Sequence, residues 1–106
     1  MNHGIEHLAK CREEIDAIDV RILQLLNERT QIVERIGAIK RELAMPIYEP
    51  KREEQVLTNV SDHNQGPLPP DAIRRIFERV MDEMRNLQKL RVEEAQQRIQ
   101  QASKSE

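Results

Sequence analysis

From Leu8 onward, apolar residues recur at alternating spacings of three and four: Leu8, Cys11, Ile15, Ile18, Ile22, Leu25, Ile32, Ile36, Ile39 and Leu43, with Arg29 the one charged member of the series. Charged and polar residues fill most positions between them. A 3-4 stripe sustained this long predicts one helix from about Glu6 to Leu43, packed in left-handed fashion against other helices. Gly37 is its weak link, costing about 1 kcal/mol relative to alanine, and is read either as allowing a close helix approach or as functional. Such a helix is about 57 Å long, whereas a compact chain of this size has a radius of gyration of about 13 Å. The stripe therefore needs a partner, and two copies lying side by side are the economical solution.

Pro46 and Pro50 bracket a break, and Pro50 suits the first position of a second helix because its missing N–H needs no acceptor there. Glu49 is then expected to cap that helix with its side chain. The second helix runs from Pro50 to about His63 with Val56, Leu57 and Val60 on one side, and Asn64-Gln65-Gly66-Pro67 stops it. Pro69-Pro70-Asp71 opens a third helix with Ile73, Ile76, Phe77, Val80, Met81, Met84, Leu87 and Leu90 on its apolar face. Beyond Arg91 the stripe dissolves, so residues 92–106 are expected to fray. The expectation is an all-α fold of three helices, long, short, long, forming one domain over residues 1–106 with its core at about 6–91, intertwined with a second copy.

Composition narrows the partners. The chain has 106 residues, 34% of them charged, yet its formal net charge is only -2 and its only aromatics are Tyr48 and Phe77. That argues against a polyanion surface or stacking platform, hence against nucleic acid. No window approaches the ~20 apolar residues of a membrane span, and the N-terminal residues lack the apolar core of a secretion signal. A cytoplasmic protein is expected. Cys11, the only cysteine, excludes an internal disulfide and a cysteine-based zinc site, and as a stripe residue it is read as core.

Arg29 is the informative exception to the stripe, because a buried unpaired charge costs several kcal/mol. Lys40 lies 11 residues later, which returns it to nearly the same face about 16.5 Å along the axis. The two either lean toward one small anion or, for Arg29, snorkel or pair internally with Glu53 or another acid. Arg12, about 25 Å before Arg29 along the axis, shares a ligand with it only across antiparallel helices of a dimer. Taken alone, Arg12 is a surface residue. Glu49 and Glu53 share a helix face with Arg52 beside them, a pattern that also suits an ordinary helix start. Gln88 falls on the apolar side of the third helix, as a hydrogen bonder in a pocket or a residue at its rim. No serine or threonine has a histidine partner, His3, His7 and His63 show no metal spacing, and no phosphate loop is present. The remaining tools are cations, one amide and carboxylates. They suit holding a small dicarboxylate and stabilising charge that builds on an oxygen, with no cofactor or metal.

In order and spacing, R-E-E-I-D-A-I-D, L-L-N-E-R, I-G-A-I-K, P-I-Y-E-P-K-R-E-E, N-Q-G-P-L and I-F-E-R-V-M with the later L-Q resemble the all-helical chorismate mutase family, from about Leu8 to Gln88. The resemblance implies an isomerase of aromatic amino-acid biosynthesis that converts chorismate to prephenate by an intramolecular [3,3] rearrangement, in a homodimer whose two sites are shared. It implies that Arg12 of the partner chain and Arg29 grip the substrate carboxylates, that Lys40 contacts the ether oxygen and a carboxylate with Gln88 on the other side of that oxygen, and that Lys40 and Arg29 favour the charge building on it. By the same resemblance Glu49 and Glu53 meet the ring hydroxyl, with Arg52 in support. Met84 stands where some relatives carry a small serine. An isochorismate-pyruvate lyase on the same fold, or a non-catalytic dimerisation module, are the alternatives.

Overall fold

A computed structural model of the chain describes residues 3–104 as three α-helices, with no strand among them. Helix α1 spans His3–Glu42, α2 spans Pro50–His63 and α3 spans Pro70–Lys104. The chain divides into two units, one ending at Ile32 and the other beginning at Val33.

The first unit is a single amphipathic stretch of α1. Its heptad positions Ile15, Ile18, Ile22, Leu25 and Ile32 are 47% to 63% exposed, and Cys11 is exposed as well. The core position expected for Cys11 is therefore not provided within one chain. An isolated helix gains little stability without a packed apolar face. Only Leu26, Arg29 and Thr30 are partly covered here, Thr30 donating its hydroxyl to the Leu26 carbonyl at 2.7 Å.

In the second unit, α1 ends in a tight turn. Met45 N–H donates to Lys40 O at 2.8 Å and Ala44 N–H to Arg41 O at 3.3 Å, a Schellman pair of bonds that satisfies two carbonyls of the last turn. Ala44 occupies the left-handed position of this turn, with φ 53°, where glycine is the usual residue. Pro46 follows and keeps the chain from resuming the helix. Pro50 then opens α2 as expected, and Glu53 N–H donates to Glu49 O at 3.1 Å. The expected side-chain cap is absent: Glu49 makes no cap hydrogen bond, because its carboxylate is engaged by Lys40.

Asn64 closes α2 in an extended conformation and bridges the following turn. Its side-chain oxygen accepts the Gly66 N–H at 2.9 Å and its amide donates to Leu68 O at 2.9 Å. Helix α3 starts at Pro70, and the Pro69 carbonyl accepts from Ala72 and Ile73. Helices α2 and α3 pack together, and Leu57 and Met81 are the buried large apolar residues among those described. Ion pairs line the packing: Arg74 reaches Glu54 of α2 at 3.3 Å and Glu78 of its own helix at 2.8 Å. Of the expected α3 stripe, Ile76 and Leu90 stay exposed.

Of the fraying expected over residues 92–106, none is seen up to Lys104, where α3 ends; residues 105–106 lie outside the described residues. Arg91 pairs with Glu94 at 3.0 Å, Glu94 lies 3.9 Å from Arg98, and the intervening Ala, Gln and Glu residues are strong helix formers. Arg91 also pairs with Glu34 of α1 at 2.8 Å. Its hydrogen bonds to Glu34 and then Glu94 raise the guanidinium pKa further. A raised folded-state value means this contribution is intact below the ordinary arginine range and lost only above it.

Leu57→Ala is expected to lower the free energy of unfolding by about 2 to 5 kcal/mol in urea titrations, since it truncates one of the two buried large apolar side chains among those described. A loss below about 1 kcal/mol would show that the α2–α3 contact collapses around the gap.

Candidate active site

Lys40 lies in the last turn of α1. Its ammonium donates to Ile47 O at 2.9 Å and pairs with Glu49 Oε1 at 3.0 Å, and its side chain is only 14% exposed. Both partners belong to the segment that the α1 turn sends back toward the helix it has just left. An ammonium carries three N–H donors. With two directed at Ile47 and Glu49, the direction of the third is set.

Gln88 lies on α3 and is the buried polar residue among those described, 7% exposed. Its amide donates to Val33 O at 3.4 Å, a long bond for a buried group. It packs against Gly37, where an added Cβ would stand 3.5 Å from Gln88 Cγ and 3.7 Å from Nε2. Of the two readings of Gly37, the close helix approach is the one observed, and what it brings near α1 is the Gln88 amide. Gln88 is buried, while the lining of the cleft between α2 and α3 does not include it. Lys40 follows Gly37 by less than one turn.

Glu49 and Glu53 share the start of α2 but serve different cations. Glu53 pairs with Arg85, its Oε2 lying 2.8 Å from Arg85 Nε. The Nε–H makes no aligned hydrogen bond, so this contact is an ion pair rather than a directed bond. Arg85 also pairs with Asp82, and its guanidinium carbon lies 5.1 Å from the centroid of the Tyr48 ring. These residues wall a cleft of about 270 Å³ between α2 and α3, floored by Leu57 and Met81. Arg52 is exposed and donates to Gln55 at 3.4 Å. Arg12, exposed, and Arg29, partly covered, belong to the first unit.

The structure thus brings together Lys40 with Glu49, Glu53 with Arg85, and Gln88 with Gly37. Arg85 is the residue that the sequence reading passed over. The signal was available: Arg85 follows Phe77 by eight and Met81 by four, so it interrupts the apolar face of α3 just as Gln88 does.

A sequence model of the family described as chorismate mutase type II matches residues 11–89. The chain belongs to that family. The matched segment holds every residue from Arg12 to Gln88 discussed above. Among curated chorismate mutases, the chain is 33% identical over 96 residues to the one from Methanocaldococcus jannaschii, covering 87% of this chain and 94% of that one. It is 46% identical over 78 residues to a bifunctional chorismate mutase/prephenate dehydratase from Neisseria gonorrhoeae, covering 74% of this chain but 21% of that protein's length. A crystal structure of the Helicobacter pylori chorismate mutase in complex with prephenate superposes with a TM-score of 0.78 at 32% identity, covering 84% of this chain and 97% of that one.

Gly37→Ala is expected to leave folding intact or stabilise it by up to about 1 kcal/mol, because the new methyl meets Gln88 at ordinary contact distance and a flexible helix position is removed. Thermal unfolding checks this, and a loss beyond about 1 kcal/mol would mean the α1–α3 approach is tighter than the distances indicate.

Proposed function

We propose that the protein catalyses the rearrangement of chorismate to prephenate, and that two copies of the chain build each site. The observation that carries the reading is the Lys40 ammonium, aimed by Ile47 O and Glu49 on the segment where the family match lies. In this reaction the ether C–O bond breaks while a C–C bond forms, within one molecule and with no proton transferred. The protein's task is to hold the enolpyruvyl arm over the ring and to favour negative charge on the departing ether oxygen. Lys40 supplies its third N–H to that oxygen. Gln88, whose amide is buried with only a long bond to Val33, supplies a neutral donor from the other side.

Arg29 and the partner's Arg12 hold the two carboxylates, each as a planar fork matched to a carboxylate edge. Glu49 and Glu53 accept from the ring hydroxyl, and Arg52 supports the rim. The exposed apolar stripe of α1 supports the dimer. Covering a Leu or Ile fully is worth about 1.5 to 3 kcal/mol, and the stripe offers Ile15, Ile18, Ile22, Leu25, Ile32, Ile36, Ile39 and Leu43, all large and exposed. A second copy presents the same stripe in the same register, which satisfies both at once. No described helix is long and apolar enough to cross a membrane. A lone exposed Cys11 suits a reducing compartment, and we assign the protein to the cytoplasm.

Purified protein given chorismate should form prephenate, and formation of salicylate and pyruvate from isochorismate instead would assign it to lyase chemistry. Lys40→Ala should lower kcat by hundreds-fold, the effect of losing a donor worth about 2.7 to 4 kcal/mol in the transition state. A kcat within about threefold of the parent would remove Lys40 from that role. Mixing Arg12→Ala chains with Arg29→Ala chains should restore roughly one working site per heterodimer, because one of its two sites then lacks both substitutions. Heterodimers that form without regaining activity would overturn the shared site.

A further inference from the structure

The cleft between α2 and α3 carries four carboxylates, Glu53, Glu54, Glu78 and Asp82, against two arginines. Each arginine serves two acids: Arg74 pairs with Glu54 and Glu78, and Arg85 pairs with Glu53 and Asp82. The two differ in what else they hold. Arg74 is half exposed and does nothing beyond its ion pairs, whereas Arg85 is 28% exposed and also lies over the face of Tyr48. Tyr48 stands between Ile47, whose carbonyl takes the Lys40 ammonium, and Glu49, whose carboxylate pairs with it. One guanidinium on α3 therefore touches both the segment that aims Lys40 and the carboxylate of Glu53.

We infer that Arg85 is a positioning residue for substrate binding, acting through Glu53 and through the Tyr48 segment. The inference rests on the chorismate reading above. A dianionic substrate is repelled by any uncompensated carboxylate it approaches, and a carboxylate within the site is tolerated only when its charge is matched nearby. Arg85 provides that match for Glu53 and Asp82 without itself occupying the substrate's place. The guanidinium can do both jobs because its charge lies within ion-pair distance of the acids while its carbon stands 5.1 Å from the ring centroid. Glu53 is assigned to the ring hydroxyl, away from the bond that breaks. Loss of Arg85 should accordingly weaken ground-state and transition-state binding alike, which raises KM and spares kcat.

The test uses the full chain and two readouts. Tyr48 is the only tyrosine and the chain has no tryptophan, so tyrosine fluorescence reports this one ring. Tyr48 is 55% exposed, so the signal is the cation on its ring face rather than cover from solvent: Arg85→Gln should change the Tyr48 emission intensity, with helical circular dichroism unchanged. Unchanged emission overturns the hold on the Tyr48 segment whatever the activity. In the chorismate assay, Arg85→Gln should raise KM about tenfold with kcat within about threefold, and Arg85→Lys, which keeps the charge, should recover most of the affinity. In a Glu53→Gln background, Arg85→Gln should add less than about threefold, because its partner charge is already gone. Full multiplication of the two effects, or a fall in kcat at constant KM, overturns the action through Glu53. An active parent with unaltered Arg85 variants defeats this inference alone; a parent inert toward chorismate defeats the proposed reaction and the role of Arg85 in it together.

Discussion

The arrangement depends on where the Lys40 ammonium is held. A lysine on the last turn of a long helix would ordinarily extend into water, where its charge is screened and its direction averaged. Here the chain turns back immediately after the helix and returns a carbonyl and a carboxylate to the same ammonium. The turn is made by Ala44 in a left-handed conformation and by the two Schellman hydrogen bonds, one of which ends on the carbonyl of Lys40 itself. Backbone geometry and side-chain orientation are thus settled at one residue. An oriented cation differs from a mobile one because it need not reorganise when charge develops beside it.

From that point the rest of the second unit reads as support. Pro50 starts α2 directly after Glu49, so Glu49 and Glu53 project from a rigid helix start rather than a loop. Helix α2 is anchored on α3 by Leu57 against Met81, a small apolar core reinforced by the Arg74 and Arg85 ion pairs. Gln88 packs against Gly37 of α1, where even an added Cβ would stand at ordinary contact distance. Each of these contacts brings a polar group of the proposed site close to helical backbone, which is how a chain with few buried apolar side chains still presents its chemistry on firm elements.

Much of this was legible in the sequence. The three helices follow from the heptad stripe, the proline pairs and the Asn-Gln-Gly-Pro stop, all local signals whose physics does not depend on the rest of the fold. The α2 boundaries, Pro50 and His63, are such a case. The fate of the C-terminal residues was not legible from the stripe alone, because α3 persists there through charge pairs and helix propensity rather than burial. Glu49 was misread as a cap for a related reason: cap position and ion-pair partner are the same residue type at the same place. Only the presence of Lys40 across the turn decides between them.

Spacing and residue type by themselves determined that the chain is helical and that α1 carries a long apolar face, and they pointed to cations as the candidate chemistry. These are properties of spacing and residue type. Which charges meet was decided by tertiary structure: Glu53 pairs with Arg85, Glu49 with Lys40, and the Gln88 amide lies buried at Gly37. Ion pairs form among whichever groups packing brings within a few ångströms. A helical pattern specifies the face on which a charge stands, but the neighbour that faces it belongs to another helix, and only the fold sets that pair.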